Sequence, residues 1–149
     1  IESLRLEKFY RAWGSDISPD HSPLEAGLGW AVKMKSGKPF LGREALVKQR
    51  EAKLPKLLCC FTVDDPSIVL LGRETIFRNG KQAGWLASGG YGYSLGTNIG
   101  IGYVRNKTEG VSADYVLNAE YQLEIACKLY PAKMSLEALY DAKSERVRG

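Results

Sequence analysis

Two acidic residues near the start of the chain have the type and spacing needed for ligand chemistry. Glu7 lies between Leu6 and Phe9, beside an apolar stripe, and a carboxylate buried there must be paired or hydrogen-bonded. Its two oxygens can accept a pair of hydrogen bonds from an amidine-like edge, such as that of an aminopyrimidine or pterin ring. The alternative is a solvated glutamate that pairs with Arg11, four residues further along the helix. The other acid, Glu25, has capping-box spacing from Ser22 and is interpreted as the acid that closes a turn.

A glycine-rich segment, residues 87–96, is the other unusual stretch. Glycine at this density lets the backbone turn sharply and approach a partner closely. Tyr91 and Tyr93 are two residues apart and share one face of an extended chain. The segment is therefore either a loop that lines a ligand or contacts a domain, or a barrel corner built from β-bulges.

Several kinds of active site are excluded by their missing motifs. The chain has no dinucleotide fingerprint, no P-loop and no nucleophile elbow. Its one histidine, His21, lies in a polar loop and is predicted to cap that loop rather than to catalyse. The three cysteines (Cys59, Cys60 and Cys127) lack metal-ligand spacing and are predicted to be buried thiols in a reducing compartment. The residues alone assign no catalytic group and no metal site.

Charge and hydropathy exclude two further classes of partner. The 149 residues carry 21 Lys and Arg against 17 Asp and Glu, and this +4 charge is spread along the chain. Nucleic-acid binding needs clustered basic residues, which are hinted at only by Arg146 and Arg148, so it is not predicted. The longest apolar runs, such as residues 68–71, fall far short of the roughly 20 residues of a membrane span. The chain begins with Ile1 and a helical pattern, so we expect a piece of a longer protein.

The N-terminal third is predicted to be α-rich. A helix is expected from Ser3, its N-cap, to Gly14, with an apolar stripe at 3.6-residue spacing formed by Leu6, Phe9, Tyr10 and Trp13. Residues 30–34 alternate and are interpreted as a strand. Residues 42–52 are predicted to be a second helix that faces inward through Ala45, Leu46 and Val47.

Beyond Leu54 the pattern changes to short strands. Six are predicted, at residues 57–63, 75–78, 81–86, 98–104, 113–117 and 121–129, and residues 135–143 are predicted to be helical. Asn79-Gly80 indicates a type I′ hairpin turn. The fold class is therefore α+β, with an α-rich part at 1–53, a small antiparallel barrel or sandwich at 54–132, and a helical, polar tail at 133–149.

Five sequence blocks, in order, resemble the glycine-cleavage T-protein (aminomethyltransferase) family. They are residues 3–8, 13–17, 22–30, 40–46 and 87–104, and they include Leu4-Arg5-Leu6-Glu7 and Trp13-Gly14. Residues 11–14, 57–62 and 76–80 look more like the C-terminal part of sarcosine and dimethylglycine dehydrogenases. The resemblance implies the C-terminal remnant of a folate-binding domain at 1–53, followed by the T-protein C-terminal barrel.

The resemblance also implies a function for a longer parent protein. An upstream flavin domain, carrying FAD before Ile1, would oxidise an N-methyl amine to an iminium, and the folate part would capture the one-carbon unit on tetrahydrofolate. The location implied is the mitochondrial matrix in a eukaryote or the cytoplasm in a bacterium. Two alternatives stay open: a non-catalytic regulator similar to the regulatory subunit of pyruvate dehydrogenase phosphatase, and a free-standing aminomethyltransferase of glycine cleavage.

Three residues match folate-contacting positions of the family. Glu7 corresponds to the glutamate of the Leu-x-Leu-Glu motif that hydrogen-bonds the pterin ring, and Trp13 to a residue that faces the folate cavity. Lys56 falls near a position where many relatives carry an arginine that meets the glutamate tail of folate, although lysine lacks the bidentate fork. The catalytic aspartate of the family belongs to the upstream part, so no residue here is assigned to it.

Overall fold

A closed antiparallel barrel of six strands forms most of the molecule. The computed structural model describes residues 1–148, and the strands are β1 (Lys56–Val63), β2 (Thr75–Arg78), β3 (Lys81–Gly92), β4 (Thr97–Arg105), β5 (Tyr121–Ile125) and β6 (Lys128–Ser135). They are ordered β1-β4-β3-β2-β5-β6, and pairing of β6 with β1 closes the barrel. The predicted α+β class is confirmed, and the β-domain is a barrel rather than a sandwich.

Within residues 1–148, four short helices accompany the barrel strands. They are α1 (Glu2–Glu7), α2 (Arg43–Glu51), α3 (Ala113–Leu117) and α4 (Glu145–Arg148), and a single 3₁₀ turn covers Gly29–Ala31. The second predicted helix is confirmed as α2, although none of its residues is fully buried.

The two faces of the barrel wall carry two separate apolar clusters. Alternate residues of a strand face opposite sides, so Cys59 and Phe61 of β1 fill the barrel interior while Leu58 and Cys60 face outward. The outward cluster also contains Ile99, Ile101 and Tyr103 of β4, and it is covered by Leu6 and Phe9 from the N-terminal segment. This packing holds α1 against the outside of β3 and β4.

The first helix is shorter than predicted. It ends at Glu7, and Phe9 adopts a left-handed backbone with φ of 54°. The chain therefore leaves the helical path before the predicted stripe is complete, which buries Phe9 but leaves Tyr10 and Trp13 exposed. Ser3 is not the N-cap, since the helix begins at Glu2 and Ile1 is the N-cap; the Ser3 hydroxyl donates to the Tyr91 carbonyl oxygen at 2.7 Å.

Four other predicted elements are wrong. Residues 30–34 form no strand, and the region holds only the 3₁₀ turn. Residues 113–117 are the helix α3, because the Ser112 hydroxyl accepts a hydrogen bond from the Tyr115 backbone N–H and caps it. Residues 121–129 belong to two strands, joined by a turn in which Ala126 and Cys127 both have positive φ. Residues 135–143 contain no helix.

Two turn predictions are confirmed. Asn79 and Gly80 have φ of 49° and 73°, as a type I′ turn requires, and they join β2 to β3. In the glycine-rich segment, β3 continues to Gly92 through a register shift between Leu86 and Ser88. A Cβ on Gly89 would lie only 2.8 Å from Leu70. These features correspond to the interpretation as a bulged corner of the barrel wall.

Candidate functional site

Glu7, the last residue of α1, is a buried carboxylate held from one side. It is only 1% exposed, and its Oε1 atom accepts a 2.7 Å hydrogen bond from the Ser94 backbone N–H. Among the described residues, no donor reaches Oε2. Among the described residues, the side-chain atoms that are both inaccessible to solvent and without a hydrogen-bond partner are Glu74 Oε2 and Arg105 Nε. Glu7 Oε2 also has no partner but is not one of them, so it retains a small solvent-accessible surface. The site therefore presents one carboxylate oxygen with its acceptor capacity unused.

The alternative pairing of Glu7 with Arg11 is wrong. The Arg11 guanidinium donates instead to the carbonyl oxygens of Phe9 at 2.6 Å and Ala26 at 3.0 Å. It also lies over the Phe9 ring, 4.0 Å from its centroid. Because the chain turns at Phe9, residue 11 no longer lies one helical turn beyond residue 7, and the i,i+4 geometry is lost.

An open cleft begins one residue beyond Glu7. It encloses about 680 Å³ between residues 8–11 and residues 136–143, with Trp30 on its wall. That volume is within the range of small-molecule sites. Trp13, by contrast, is 72% exposed and does not line this cleft; its backbone forms a bridge with Ile17.

Lys56, the first residue of β1, lies in a mixed polar and aromatic setting. Its Nζ atom donates to the Asp20 carbonyl oxygen at 3.1 Å, lies 4.0 Å from Glu25 Oε2, and is 5.3 Å from the Tyr103 ring centroid. Burial lowers the pKa of Lys56, although the Glu25 carboxylate partly offsets that effect.

Glu7 and Lys56 lie at opposite ends of β4. Glu7 packs beside Gly92, which pairs with Thr97 at the start of β4, whereas Lys56 pairs with Arg105 at its end. The eight residue steps from 97 to 105 span roughly 26 Å of strand. The structure therefore does not bring the three sequence-predicted residues into one cluster.

The loop residues behave as their local pattern predicted. Ser22 and Glu25 form the reciprocal capping box, with the Ser22 N–H donating to Glu25 Oε2 at 2.9 Å and the Glu25 N–H to Ser22 Oγ at 3.1 Å. The His21 Nδ1 atom accepts from the Ser18 backbone N–H, and its ring stacks on Tyr103. His21 thus caps its loop.

Sequence reasoning missed the partners that hold the N-terminal segment on the barrel. Asp16 is fully buried and accepts hydrogen bonds from Arg5 Nη1 at 2.8 Å and from the Ser88 hydroxyl at 2.6 Å. Ser88 is 72 residues distant, and nothing in the local pattern pairs it with Asp16. The Ser94 contact to Glu7 had one signal, since Ser94 lies in the glycine-rich segment singled out above.

Nucleophile and metal chemistry find no support in the described residues. Burial raises the pKa of both Cys59 and Cys60 to about 12, so these thiols stay protonated at neutral pH. Cys127 is exposed, which corrects the prediction that all three are buried. Within residues 1–148 no group of three His, Cys, Asp or Glu side chains is arranged to hold a metal ion. Within the same range, no helix has both the length and the apolar character needed to cross a bilayer.

The site is built on a closed six-strand barrel with the N-terminal segment, including α1, packed on its outer face. The family model described as the glycine cleavage T-protein C-terminal barrel domain matches residues 56–141, and the GCVT N-terminal domain model matches residues 1–36. The chain belongs to the glycine cleavage T-protein C-terminal barrel family.

Two similar proteins are a dehydrogenase and a regulatory subunit. The chain is 43% identical over 150 residues to mitochondrial sarcosine dehydrogenase of Mus musculus, covering 100% of this chain and 16% of that protein. It is 37% identical over 146 residues to the mitochondrial pyruvate dehydrogenase phosphatase regulatory subunit of Mus musculus, covering 91% of this chain and 17% of that protein. The chain spans about a sixth of the length of these curated relatives.

A solved structure shares the fold. The glycine cleavage system aminomethyltransferase T from Bartonella henselae superimposes with a TM-score of 0.77 at 23% identity, over 95% of this chain and 38% of that one. This likeness concerns the fold alone.

Proposed function

We propose that this chain is the C-terminal folate-domain portion of an FAD-dependent N-methyl amine dehydrogenase of the sarcosine or dimethylglycine type. Support comes from the 43% identity to mouse sarcosine dehydrogenase along the whole chain. In this proposal residues 1–53 end the folate-binding domain, residues 54–132 are the barrel domain and residues 133–149 are a tail. FAD and the amine substrate bind the upstream flavin domain, and tetrahydrofolate, when bound, accepts the one-carbon unit.

The observation that carries the proposal is the half-satisfied carboxylate of Glu7. Ser94 fixes Oε1, so the carboxylate is oriented before any ligand arrives, and Oε2 stays available as an acceptor. Burial strengthens a hydrogen bond made there, because little water competes for the same oxygen. The aminopyrimidine edge of a pterin offers the N–H donors that such an oxygen accepts.

Roles for the other two residues follow from their positions. Trp13 exposes a large aromatic surface, on which a pterin or aminobenzoyl ring can stack. Lys56, at the other end of β4, is proposed to attract the glutamate tail of folate by charge alone, since an ammonium group has no bidentate fork. In a eukaryote we place the protein in the mitochondrial matrix, and in a bacterium in the cytoplasm.

A second candidate function is a regulatory one. It is favoured by the 37% identity to the mouse pyruvate dehydrogenase phosphatase regulatory subunit. A free-standing aminomethyltransferase is a third candidate, consistent with the fold shared with the Bartonella henselae protein. Binding of tetrahydrofolate through Glu7 favours the first and third candidates over the regulatory one, and N-methyl amine oxidation by the full-length protein separates the first from the third.

The test is calorimetric titration of tetrahydrofolate into the intact parent protein and its Glu7→Gln variant. Glutamine keeps an acceptor for Ser94 but turns an amide N–H₂ toward the N–H groups of the ligand, so affinity should fall roughly 5- to 150-fold. Glu2→Gln is the matched control, because Glu2 lies on the same helix with a largely exposed side chain. Equal affinity in all three folded proteins would remove Glu7 from the folate site.

A further inference from the structure

A second cleft lies at the end of the barrel wall away from Glu7. It encloses about 370 Å³ between the loop around Ser15 and the strands β3 and β4, and we call it the arginine cleft. Its polar and aromatic lining residues are Ser15, His21, Arg73, Trp85, Tyr103 and Arg105. Two of these lining residues, Arg73 and Arg105, are charged at neutral pH, and no carboxylate of the described residues lines the cleft.

Arg105 is the central group of the arginine cleft. Its guanidinium lies over the Trp85 ring, with Cζ 4.0 Å from the centroid, and the Tyr103 ring centroid is 6.0 Å away. Its Nε atom is sealed from solvent without a hydrogen-bond partner, and no carboxylate of the described residues forms an ion pair with it. A ligand in the cleft does not reach this sealed nitrogen, so the donors that Arg105 offers to the cleft are its two Nη atoms.

The contact with the indole face positions the guanidinium. Its two Nη atoms are not sealed and have no partner among the described residues, and one N–H from each can be donated side by side in a bidentate pair. A carboxylate or phosphate matches this fork with two oxygens. The contact with Trp85 therefore holds the Nη donors of Arg105 in place before a ligand binds.

Arg73 and His21 supply further donors around the same space. Arg73 has φ of 78°, a left-handed backbone rare for residues other than glycine, and its backbone N–H donates to the Leu86 carbonyl oxygen at 2.8 Å. The Nδ1 atom of His21 accepts from the Ser18 N–H, so the neutral ring carries its proton on Nε2. Both residues line the cleft, and each keeps donors that no described residue accepts.

The acidic residues near the arginine cleft lie outside its lining. Glu25 lies 4.0 Å from Lys56 Nζ and accepts the Ser22 N–H, and together with Asp20 it also acts on His21. The charged side chains that line the cleft itself are therefore both positive.

We propose that the arginine cleft binds a small oxyanionic ligand through a carboxylate or phosphate group that pairs with the edge of Arg105 and is supported by Arg73 and His21. Trp85 and Tyr103 form its aromatic walls. The cleft lies at the Arg105 end of β4, beside Lys56, whereas Glu7 packs at the Thr97 end, so this assignment does not depend on pterin binding by Glu7.

The test uses the 149-residue chain with inorganic phosphate and glutarate as separate probes, against sodium chloride at matched ionic strength. Binding is followed by NMR through the indole N–H resonance of Trp85, assigned with Trp85→Phe. We expect a saturable shift with at least one probe, and the probe that saturates identifies the chemistry as phosphate or carboxylate. Arg105→Met keeps an apolar stem on Trp85 but removes the fork, and should weaken binding about tenfold or more.

Two further variants make the result decisive. Arg50→Met removes an exposed arginine of α2 and should leave the affinity unchanged. Arg105→Lys keeps the charge without the fork and should also weaken binding. If Arg105→Met fails to fold, the affinities of Arg105→Lys and Arg73→Met test the proposal in its place. Absence of a saturable shift with both probes would overturn the proposal, and so would wild-type affinity in the folded Arg105 and Arg73 variants.

Discussion

Glu7 and Ser94 are 87 residues apart in the sequence and are joined by a 2.7 Å hydrogen bond from a backbone N–H to a carboxylate oxygen. The donor belongs to the turn between β3 and β4, so the barrel itself sets the direction of the carboxylate. A second link, from the Ser3 hydroxyl to the Tyr91 carbonyl oxygen, ties the end of β3, just before this turn, to α1. The orientation of Glu7 therefore depends on the packing of helix and barrel together.

Gly92→Ala tests this dependence. A Cβ at residue 92 would lie 2.4 Å from Ile99 Cδ1 and 3.3 Å from Glu7 Cγ, and Ile99 is fully buried under Leu6. Overpacking of this kind costs about 1–3 kcal/mol, which urea unfolding will measure. Gly29→Ala is the control, because its Cβ would meet only the end of the Leu24 side chain, at 3.1 Å. Equal stability of the two variants would show that Glu7 has room to move.

The parts of the fold visible in the sequence are those with a strong local cause. Asn79-Gly80 predicts its hairpin because both residues tolerate positive φ, and the apolar runs of β1 and β4 predict buried strands. The turn of the β5–β6 hairpin is not visible in the sequence, because its two positive-φ positions hold Ala126 and Cys127, residue types that rarely adopt this backbone. Tertiary packing, not local preference, holds that turn.

Asn79→Val should destabilise the barrel by about 2–3 kcal/mol. A β-branched residue resists positive φ, and the variant also loses the 2.9 Å hydrogen bond from the Glu120 backbone N–H to Asn79 Oδ1. Asn79→Asp keeps the acceptor and tolerates the same backbone, so it should stay close to wild type. Thermal unfolding of the three proteins measures the difference, and a wild-type melting temperature for the valine variant would contradict the turn assignment.

The candidate site was less predictable than the fold. Local pattern placed Glu7 beside an apolar stripe, but it implied an Arg11 partner that the left-handed turn at Phe9 removes. The arginine cleft joins residues from four separate segments, represented by Ser15, Arg73, Trp85 and Arg105. Such clusters form only through long-range pairing of strands, which spacing along one segment does not report.

Asp16→Asn should cost about 3 kcal/mol of unfolding free energy. The Asp16 carboxylate has no exposed surface, and its loss leaves the half-buried Arg5 guanidinium, which donates from 2.8 Å, with only the surface residue Glu2 as a counterion. Asp64→Asn is the matched control: Asp64 pairs with Lys133 at the surface, and removing that pair should change stability little. Urea titration of both variants makes the comparison, and similar losses would mean that the Asp16 cluster does not anchor the N-terminal segment.

His21 should make the protein more stable at neutral than at mildly acidic pH. Burial lowers its pKa below the ordinary 6.5, as do Lys56 and Arg105, while Glu25 and Asp20 act in the opposite direction. The unfolded chain therefore binds the proton first as pH falls through about 6.5, and the stabilisation is lost progressively until the lower folded-state pKa is passed.

The variant His21→Phe tests this pH dependence. It keeps a ring against Tyr103 but cannot titrate, so the difference in unfolding free energy between wild type and variant reports the protonation of His21. Unfolding free energies of both proteins at about pH 7.5 and about pH 5 are compared, because the carboxylates common to both cancel in the difference. We expect the wild type to lose more stability than the variant on acidification; a wild type that gains on the variant would mean that the imidazolium, paired with Glu25, is the favoured folded form.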